Sequence, residues 1–373
     1  MAVVRAAIGV GIALAIGAVL VSGGSEADSR AHLLEVPGIG GGGLTAIVDS
    51  YGNVVDTRRS GAARRGDRRW IERARPLGAG APRWARRMYT RSLLVLQALT
   101  DRRTGAVIAG ARDGWAYVWP RDAGAVALAF ADAGYRAEAR QVARFLLRLD
   151  LDAAARFNVD GTPVNGREAQ GDARGWVEAA AQAAGLPAPA GAFHWRDRAD
   201  YQEKPSGDYL ANALAADGPK KIRYLPFEAH RRGFRGPGGV LVRRAGDAGS
   251  GVDSAAAWAV QPFPHPILFP AVRRSLHRLI DERGGRFGIV PSEDWSEEDP
   301  WTAPTAWTAW AFAALGDRRA ALRLMSALRW AATPLGLLPE RVDAQTGAPR
   351  STTPLAWSHA FAILALRELW PAD

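Results

Sequence analysis

Apolar residues recur at helical spacing along most of the chain after about Pro82. Alanine- and leucine-rich stretches with this spacing predict ten helices. Their expected ranges are 83–100, 121–134, 136–150, 172–184, 206–217, 253–262, 268–283, 302–315, 317–332 and 354–369. Almost no alternating β pattern follows residue 110, and the segments between helices are rich in glycine, proline, tryptophan and acidic residues. The pattern predicts an all-α domain whose helices alternate with loops.

Two predicted helix pairs resemble each other, RDAGAVALAFADAGYRAEARQVARFLLRL and TAWTAWAFAALGDRRAALRLMSALRWA. Each has an apolar helix, then a turn with glycine and a charged residue, then an amphipathic helix. Helix hairpins repeated around a ring give an (α/α) toroid, in which the inner helices are more apolar than the outer ones. The pairs therefore favour a toroid.

The N-terminal 27 residues have the pattern of an export signal, with Arg5 followed by an uncharged stretch over residues 6–22. Ser25 and Ala27 fit the small-x-small rule for cleavage after Ala27. The uncharged stretch is also nearly long enough to remain as an uncleaved anchor. We therefore expect an extracytoplasmic protein, either secreted or anchored to the membrane by residues 6–22.

The next segment, residues 28–81, is predicted to be a Gly/Arg-rich linker. Its DSYGNV turn, flanked by β-formers, indicates either a short hairpin or simply more linker. Much of the chain's excess positive charge lies in residues 57–87, which we interpret as a solvated linker in preference to an arm that binds a membrane or cell wall.

Composition narrows the chemistry further. The chain has no cysteine, which excludes disulfides, thiolate catalysis and cysteine-ligated metals. The net charge is +10, from 48 Lys and Arg against 38 Asp and Glu. A nucleic-acid partner would rest on that charge alone, and the export signal and the absence of a recognised nucleic-acid motif disfavour it.

The stretch WAYVWPRDAG, residues 115–124, has the composition of a sugar pocket. Tyr117 and Trp119 offer ring faces to a pyranose, while Arg121 and Asp122 can donate to and accept from adjacent hydroxyls. The alternatives are a helix cap for Asp122 and a surface ion pair for Arg121.

Four segments, in order, resemble glycoside hydrolase family 15, the glucoamylase, glucodextranase and trehalase-like enzymes. They are GWAYVWPRDAGAVALAFADAGY, NGREAQGDARGWVEAA, DPWTAPTAWTAWAFAALGD and GLLPERVDAQTGAPRSTTPLAWSHAFAILALREL. The resemblance runs from about residue 83 to the C-terminus. It implies that residues 82–373 form an (α/α)6 toroid, the six-hairpin glycosidase-like fold. It also implies a carbohydrate partner (an α-glucan or α-glucoside) and no cofactor; we expect a monomer that meets the membrane only through its N-terminal segment.

The resemblance also implies two catalytic carboxyls. Glu340, in GLLPERVD, matches the family's catalytic base, and Glu203, in DYQEK, aligns with its acid. This chain departs from the family beside the acid, where Gln202 replaces a tryptophan and Lys204 replaces a second glutamate. An ammonium paired with Glu203 would impair a general acid, whereas one pointing away would not.

Further residues of the matched segments are candidates for the sugar cleft. Gln170, Asp172 and Trp301 are expected to line it and Arg167 to reach it; the alternative for Gln170 and Asp172 is capping of the next helix. His359 is interpreted as a core histidine with both nitrogens satisfied.

One further departure lies in FGIVPSEDWSEEDPW. Ile289 and Val290 stand where the family often has an arginine and a tyrosine. The acidic run that follows could bind a hard cation, but we interpret it as a solvated loop and predict no metal.

The sequence leaves two hypotheses. The first is an exported inverting exo-glycosidase that removes terminal α-linked glucosyl residues, with starch, dextran, trehalose and a cell-wall α-glucan all open as substrates. The second is a catalytically impaired relative with the same fold, which binds a glycan without cleaving it. Whether Glu203 projects into the cleft opposite Glu340 distinguishes them.

Overall fold

The structure is a computed structural model that describes most of the chain. The described residues are 34–37, 44–49, 52–59, 61–111, 114–189, 193–205, 207–217 and 233–372. The predicted export signal lies outside them. Within the described ranges, no helix is both long enough and apolar enough to cross a membrane.

The molecule is mostly helical, as predicted. Its helices are α1 (Gly61–Glu72), α2 (Arg83–Ala98), α3 (Pro120–Asp132), α4 (Arg136–Leu146), α5 (Ala173–Ala183), α6 (Leu210–Asp217), α7 (Phe269–Arg283), α8 (Thr302–Ala314), α9 (Arg318–Ala331) and α10 (Ala356–Leu369). Strands β1 (Leu34–Pro37), β2 (Leu44–Val48) and β3 (Val54–Arg59) form an antiparallel sheet in that order, and β4 (Gly284–Gly285) pairs with β5 (Gly288–Ile289).

Six inner elements form a closed ring. Helix α3 packs on α5, α5 on α6, and α6 on a 3-10 helix at Ser254–Ala259; this 3-10 helix packs on α8, α8 on α10, and α10 returns to α3. Helices α2, α4, α7 and α9 pack against members of the ring. Two of the six inner elements, α6 and the 3-10 helix, are short.

The division into inner and outer helices follows from the apolar pattern. Helix α8 is buried continuously from Thr302 to Phe312, because alanine, threonine and tryptophan occupy every side of it. Helix α9 buries one face only, at Ala321, Leu324 and Leu328. A helix that is apolar on all sides is buried only when other elements surround it, whereas an amphipathic helix needs a neighbouring element on one side only.

The segment predicted as a linker contains secondary structure, which corrects that prediction for residues 61–81. Helix α1 buries Trp70, whose ring stacks on Tyr135 at 4.2 Å between centroids. The Tyr135 hydroxyl donates to the Trp70 carbonyl at 2.7 Å. The many arginines of α1 obscured this single anchoring residue in the sequence. On either side of the DSYGNV turn, β2 and β3 pair antiparallel.

The helix predicted at 253–262 is the short 3-10 helix. Asp253 caps its start by accepting from the Ala255 N–H at 2.6 Å. Pro262 follows closely, and the residue before a proline is disfavoured in α conformation. The inner ring therefore has a short element of six residues at this point.

Candidate active site

A pocket lies at the end of the ring where inner helices begin. The N-terminal ends of α3, α8 and α10 contribute Trp119, Trp301 and Trp357 to its wall. Helix N-termini carry partial positive charge and unpaired N–H groups, which favours polar or anionic groups at this end. The complete lining is Ala109, Trp115, Trp119, Arg121, Asp122, Arg167, Tyr201, Gln202, Glu203, Trp301, Glu340, Leu355 and Trp357.

Seven of the residues predicted from the sequence meet in this pocket. They come from five separate segments of the chain and are Trp119, Arg121, Asp122, Arg167, Glu203, Trp301 and Glu340. Both predicted catalytic carboxyls therefore lie in one cavity. The roles given to these residues remain predictions.

Arg121 forms the polar floor of the pocket, with a side chain only 5% exposed. Its Nη1 donates to Gln170 Oε1 at 2.6 Å and to Asp172 Oδ2 at 3.2 Å, and its Nη2 lies 3.4 Å from Asp122 Oδ2. The guanidinium also lies over the Trp357 ring, 4.6 Å from its centroid. Arg121 is therefore a buried, oriented cation and not the surface ion pair that the sequence left open.

Gln170 and Asp172 lie behind Arg121 and do not line the pocket, which corrects the prediction that they face the cleft. They act on Arg121 instead, because each accepts a hydrogen bond from its guanidinium. Asp172 precedes α5, yet its side chain makes no capping hydrogen bond to that helix. Tyr117 is also absent from the lining; it packs edge-on against Trp119, with 6.5 Å between ring centroids.

Asp122 is buried beside Arg121 and carries an unusual pKa. Burial raises its pKa to about 7, the Arg121 charge opposes the rise, and Asp172 and Glu340 reinforce it. Among the described residues, Asp122 Oδ2 has no hydrogen-bond partner. A sugar hydroxyl entering the pocket could donate a hydrogen bond to this oxygen.

Glu340 is held by two donors. Trp115 Nε1 donates to Oε1 at 3.3 Å and Ser351 Oγ donates to Oε2. Its backbone is fixed as well, because its N–H donates to the Thr352 carbonyl at 2.9 Å and its carbonyl accepts from the Thr302 N–H at 3.0 Å. Burial raises the pKa of Glu340, and the bonds from Ser351 and Trp115 oppose that rise. The carboxyl is thus oriented, with a proton affinity above that of an exposed glutamate.

Glu203 also lines the pocket and lies on a strained turn. Its φ of 58° lies in the left-handed region that few residues other than glycine adopt. The Glu203 N–H donates to the Asp200 carbonyl at 2.9 Å, and Trp119 Nε1 lies 3.4 Å from Oε1. Backbone strain held in place by such contacts is common at functional sites.

A different cation from the expected one touches Glu203. The Lys204 ammonium lies over the Trp295 ring, 5.2 Å from its centroid, and Lys204 does not line the pocket. Instead, Arg167 Nη1 is bonded to Glu203 Oε2. The sequence placed Arg167 near the cleft but gave no indication of this pair.

Comparison with known proteins supports part of the resemblance. Residues 83–159, which contain the first of the four segments, match the family model Glycosyl hydrolases family 15. A wild-type glycosidase is 19% identical, with a TM-score of 0.64, over 78% of this chain and 99% of its own. A bacterial glucoamylase complexed with acarbose is 18% identical, with a TM-score of 0.62, over 81% of this chain and 57% of its own.

A third structure, the glucoamylase from Saccharomycopsis fibuligera, is 14% identical, with a TM-score of 0.61, over 77% of this chain and 94% of its own. Identities this low establish a common fold. No curated protein matches the chain by sequence. These likenesses show the fold, while the chemistry must be argued from this pocket.

A buried polar cluster, which sequence reasoning missed, lies under the Glu203 turn. Arg243 bonds Asp200 Oδ2 through Nη2 at 2.6 Å and Asp294 Oδ2 through Nη1 at 2.8 Å. Gln202, which replaces the family's tryptophan, donates to Asp253 Oδ2 at 3.2 Å and to Ser292 Oγ at 3.1 Å. The replacement therefore gives the turn a hydrogen-bonded support, and the departure at position 202 was the signal for it.

Four further pocket contacts were not predicted. Trp115 was visible in WAYVWPRDAG, where its spacing from Trp119 lets the two indole N–H groups reach one carboxyl each. Trp357 supports Arg121, and Ser351 donates to Glu340. Tyr201 donates to Asp253 Oδ1 at 2.7 Å beneath the turn.

The acidic run is exposed at Asp294, Glu297 and Glu298, as expected of a solvated loop, and several of its carboxylates also pair with arginines. Glu293 bonds Arg278, and Glu297 bonds Arg341. Asp294 belongs to the Arg243 cluster. Over the described ranges, no group of three or more histidine, aspartate or glutamate side chains is arranged to hold a metal ion.

His359 is a fully buried histidine with both nitrogens bonded, which confirms the sequence interpretation. Its Nε2 accepts from the Leu338 N–H at 2.9 Å, so the ring proton lies on Nδ1, 2.9 Å from Ser92 Oγ. Burial, assisted by the Arg91 charge, lowers its pKa to about 3. Because Leu338 begins the loop to Glu340, the neutral ring also helps to position that carboxyl.

Replacing His359 with glutamine tests this role through the pH dependence of stability. At pH 7 we expect the variant to lose about 1–3 kcal/mol of unfolding free energy, since the Leu338 N–H keeps at best a distorted partner. Below pH 6.5 the wild type should itself lose stability, because His359 binds a proton in the unfolded chain but stays neutral in the folded protein. Urea unfolding measures the effect. The difference in unfolding free energy between the wild type and the variant should shrink by roughly 1 kcal/mol per pH unit down to about pH 4.

His277→Gln is the matched control for this measurement, because its side chain is 44% exposed and pairs with Asp317. That variant should change stability far less at pH 7. Parallel pH profiles for His359→Gln and the wild type would contradict the neutral buried ring.

Proposed function

We propose that the protein is an inverting exo-glycosidase that removes α-linked glucosyl residues from the non-reducing end of an oligo- or polysaccharide, on an (α/α)6 toroid. One observation carries the proposal: two carboxyls from distant segments, Glu203 and Glu340, line one pocket whose floor is the Arg121–Asp122 pair. Glycoside hydrolysis normally needs such a pair of carboxyls.

Arg121 and Asp122 hold the terminal sugar in this proposal. Arg121 is rigid because Gln170, Asp172 and the Trp357 ring fix its guanidinium, so little rotamer entropy is lost on binding. Asp122 Oδ2 accepts a hydrogen bond from a sugar hydroxyl. Trp119 and Trp301 provide apolar walls for the C–H faces of the sugar.

The reaction is a single displacement. Protonated Glu203 gives its proton to the glycosidic oxygen while the C1–O bond breaks and its electron pair stays with the leaving group. Glu340 takes a proton from a water molecule whose oxygen bonds to C1 from the opposite face. The products are β-glucose and a leaving group with a free hydroxyl, and the two glutamates exchange protonation states.

The raised pKa of Glu340 suits the proposed base. A carboxylate with greater proton affinity removes a proton from water more readily, as long as it is ionised at the working pH. Trp115 and Ser351 stabilise that ionised form and aim its oxygens. We further propose that the protein works outside the cytoplasm as a monomer without a cofactor.

The bond between Arg167 and Glu203 favours a second candidate function. A guanidinium stabilises the ionised carboxylate, which has no proton to give. If this pair persisted with substrate bound, the protein would hold a glycan without cleaving it.

Proton NMR of the anomeric region decides between the two. Malto-oligosaccharides, isomalto-oligosaccharides and trehalose are incubated with the protein, and the first glucose anomer to appear is recorded. Early β-glucose from an α-linked substrate is the expected result. With malto- or isomalto-oligosaccharides, early α-glucose in place of β-glucose would contradict inversion, whereas trehalose should release one β-glucose and one α-glucose, its leaving group. Binding without release would favour the glycan-binding alternative.

A further inference from the structure

Arg167 places a cation in the mouth of the pocket. Its side chain is 32% exposed, whereas that of Arg121 at the floor is 5% exposed. Its guanidinium also lies 5.7 Å from the Trp119 ring centroid, so the aromatic wall and the Glu203 carboxylate position it together.

A second guanidinium lies on the same aromatic wall. Arg156 lies over Tyr117 at 4.7 Å and over Trp119 at 5.7 Å, and it donates to the Gly114 carbonyl at 3.2 Å. Burial lowers the pKa of Arg167, and the neighbouring Arg156 charge lowers it further. Two like charges therefore lie near each other at Trp119; of the two, Arg167 lines the pocket, where Glu203 is bonded to it.

This arrangement conflicts with acid catalysis on a neutral substrate. A general acid must carry its proton when the glycosidic bond breaks, yet Arg167 stabilises the form of Glu203 that has lost it. Protonating Glu203 would leave Arg167 without that negative partner. An anion supplied by the substrate would remove the conflict, because it would bond Arg167 while Glu203 accepts a proton from solvent.

The anion belongs on the leaving group. Glu203, in its proposed role, touches the oxygen that joins the terminal sugar to the leaving group, and Arg167 is bonded to that same carboxyl. The terminal sugar occupies the floor at Arg121 and Asp122, so the leaving group faces the more exposed Arg167.

We infer that the substrate is an α-glucoside whose leaving group carries a carboxylate, an acidic sugar or sugar acid, and that Arg167 binds this carboxylate and so frees Glu203 to act as the acid. The inference rests on the proposed function. A guanidinium–carboxylate pair is often bidentate and is among the stronger hydrogen-bonded contacts in proteins.

Matched neutral and acidic probes test it. Maltobionate and maltitol each carry one α-1,4-linked glucose on an open-chain leaving group and differ in one carboxylate; isomaltobionate and isomaltitol form the α-1,6 pair. We expect kcat/KM for the acidic member to exceed that of the neutral one by about ten- to a hundredfold. In Arg167→Gln this ratio should fall to about one or below. In Lys204→Gln, which removes a nearby cation outside the pocket, the ratio should persist.

Binding measurements test the inference independently of hydrolysis. Calorimetry on Glu340→Gln measures Kd for the same probes, with the same preference expected and the same loss in the double variant with Arg167→Gln. An acid preference in Kd without hydrolysis would support the inference while overturning the proposed hydrolase. Hydrolysis of both members at equal kcat/KM, or binding of neither acidic probe by folded protein, would overturn the inference; the first of these leaves the hydrolase standing.

Discussion

Glu340→Gln should lower kcat for glucose release by about 10²- to 10⁴-fold. Glutamine has the same shape, and its amide oxygen can still accept from Trp115 or Ser351, so the loop and the pocket should keep their structure. What it cannot do is take a proton from water. The measurement is kcat and KM on the best α-glucoside found, together with the urea midpoint, and we expect the loss to appear in kcat.

The pKa of Glu340 determines the direction in which activity changes with pH. Activity needs Glu340 ionised, so kcat/KM should fall as the pH drops through its pKa. Because burial raises that pKa above the ordinary value of 4.5, the acidic limb should lie above pH 4.5. The same limb should be absent from the residual activity of the variant.

Glu298→Gln is the matched control, since its side chain is 81% exposed and its charge change is the same. Its kcat should be unchanged within about twofold. Glu340→Gln with more than a tenth of wild-type kcat would assign the base to another group.

Helices were predictable where burial is extreme. The range 302–315 predicted for α8 agrees with the observed helix Thr302–Ala314. Its apolar residues occur on every side of the helix, so the pattern fits only a helix buried on all sides. Prediction failed where one residue carries the packing. Trp70 anchors α1 among arginines, a pattern that also describes a solvated linker.

The site residues that lie in recognisable sequence motifs were predictable. Arg121, Asp122 and Glu340 belong to quoted segments, and their convergence follows from the ring. Charge pairing was not predictable, because it depends on side-chain direction. Lys204 is adjacent to Glu203 in sequence and turns to Trp295, whereas Arg167, 36 residues away in the chain, provides the guanidinium.

Arg121→Gln should destabilise the protein by about 3–5 kcal/mol, in addition to any loss of substrate binding. The substitution removes a cation that sits between two buried carboxyls, Asp122 and Asp172, and leaves both without it. Urea unfolding at pH 7, followed by circular dichroism, measures the loss.

Lower pH should restore part of that stability. Burial raises the pKa of Asp122 to about 7 even with Arg121 present, and raises that of Asp172 as well; in both, Arg121 opposes the rise. Without Arg121 both pKa values should rise further. The folded variant then binds protons that the unfolded chain, with aspartate pKa values near 4, binds only in stronger acid, so its unfolding free energy should increase from pH 7 to pH 5.

Two further variants distinguish the loss of a buried cation from the general effect of removing an arginine. Arg244→Gln breaks an exposed pair with Asp247 and should cost less than about 1 kcal/mol at either pH. Adding Asp172→Asn to Arg121→Gln should recover stability at pH 7, because one buried charge disappears with its partner. A loss below about 1 kcal/mol for Arg121→Gln, equal at pH 5 and pH 7, would mean that the carboxyls are already neutral in the wild type. Arg121 would then orient the sugar without neutralising the floor of the pocket.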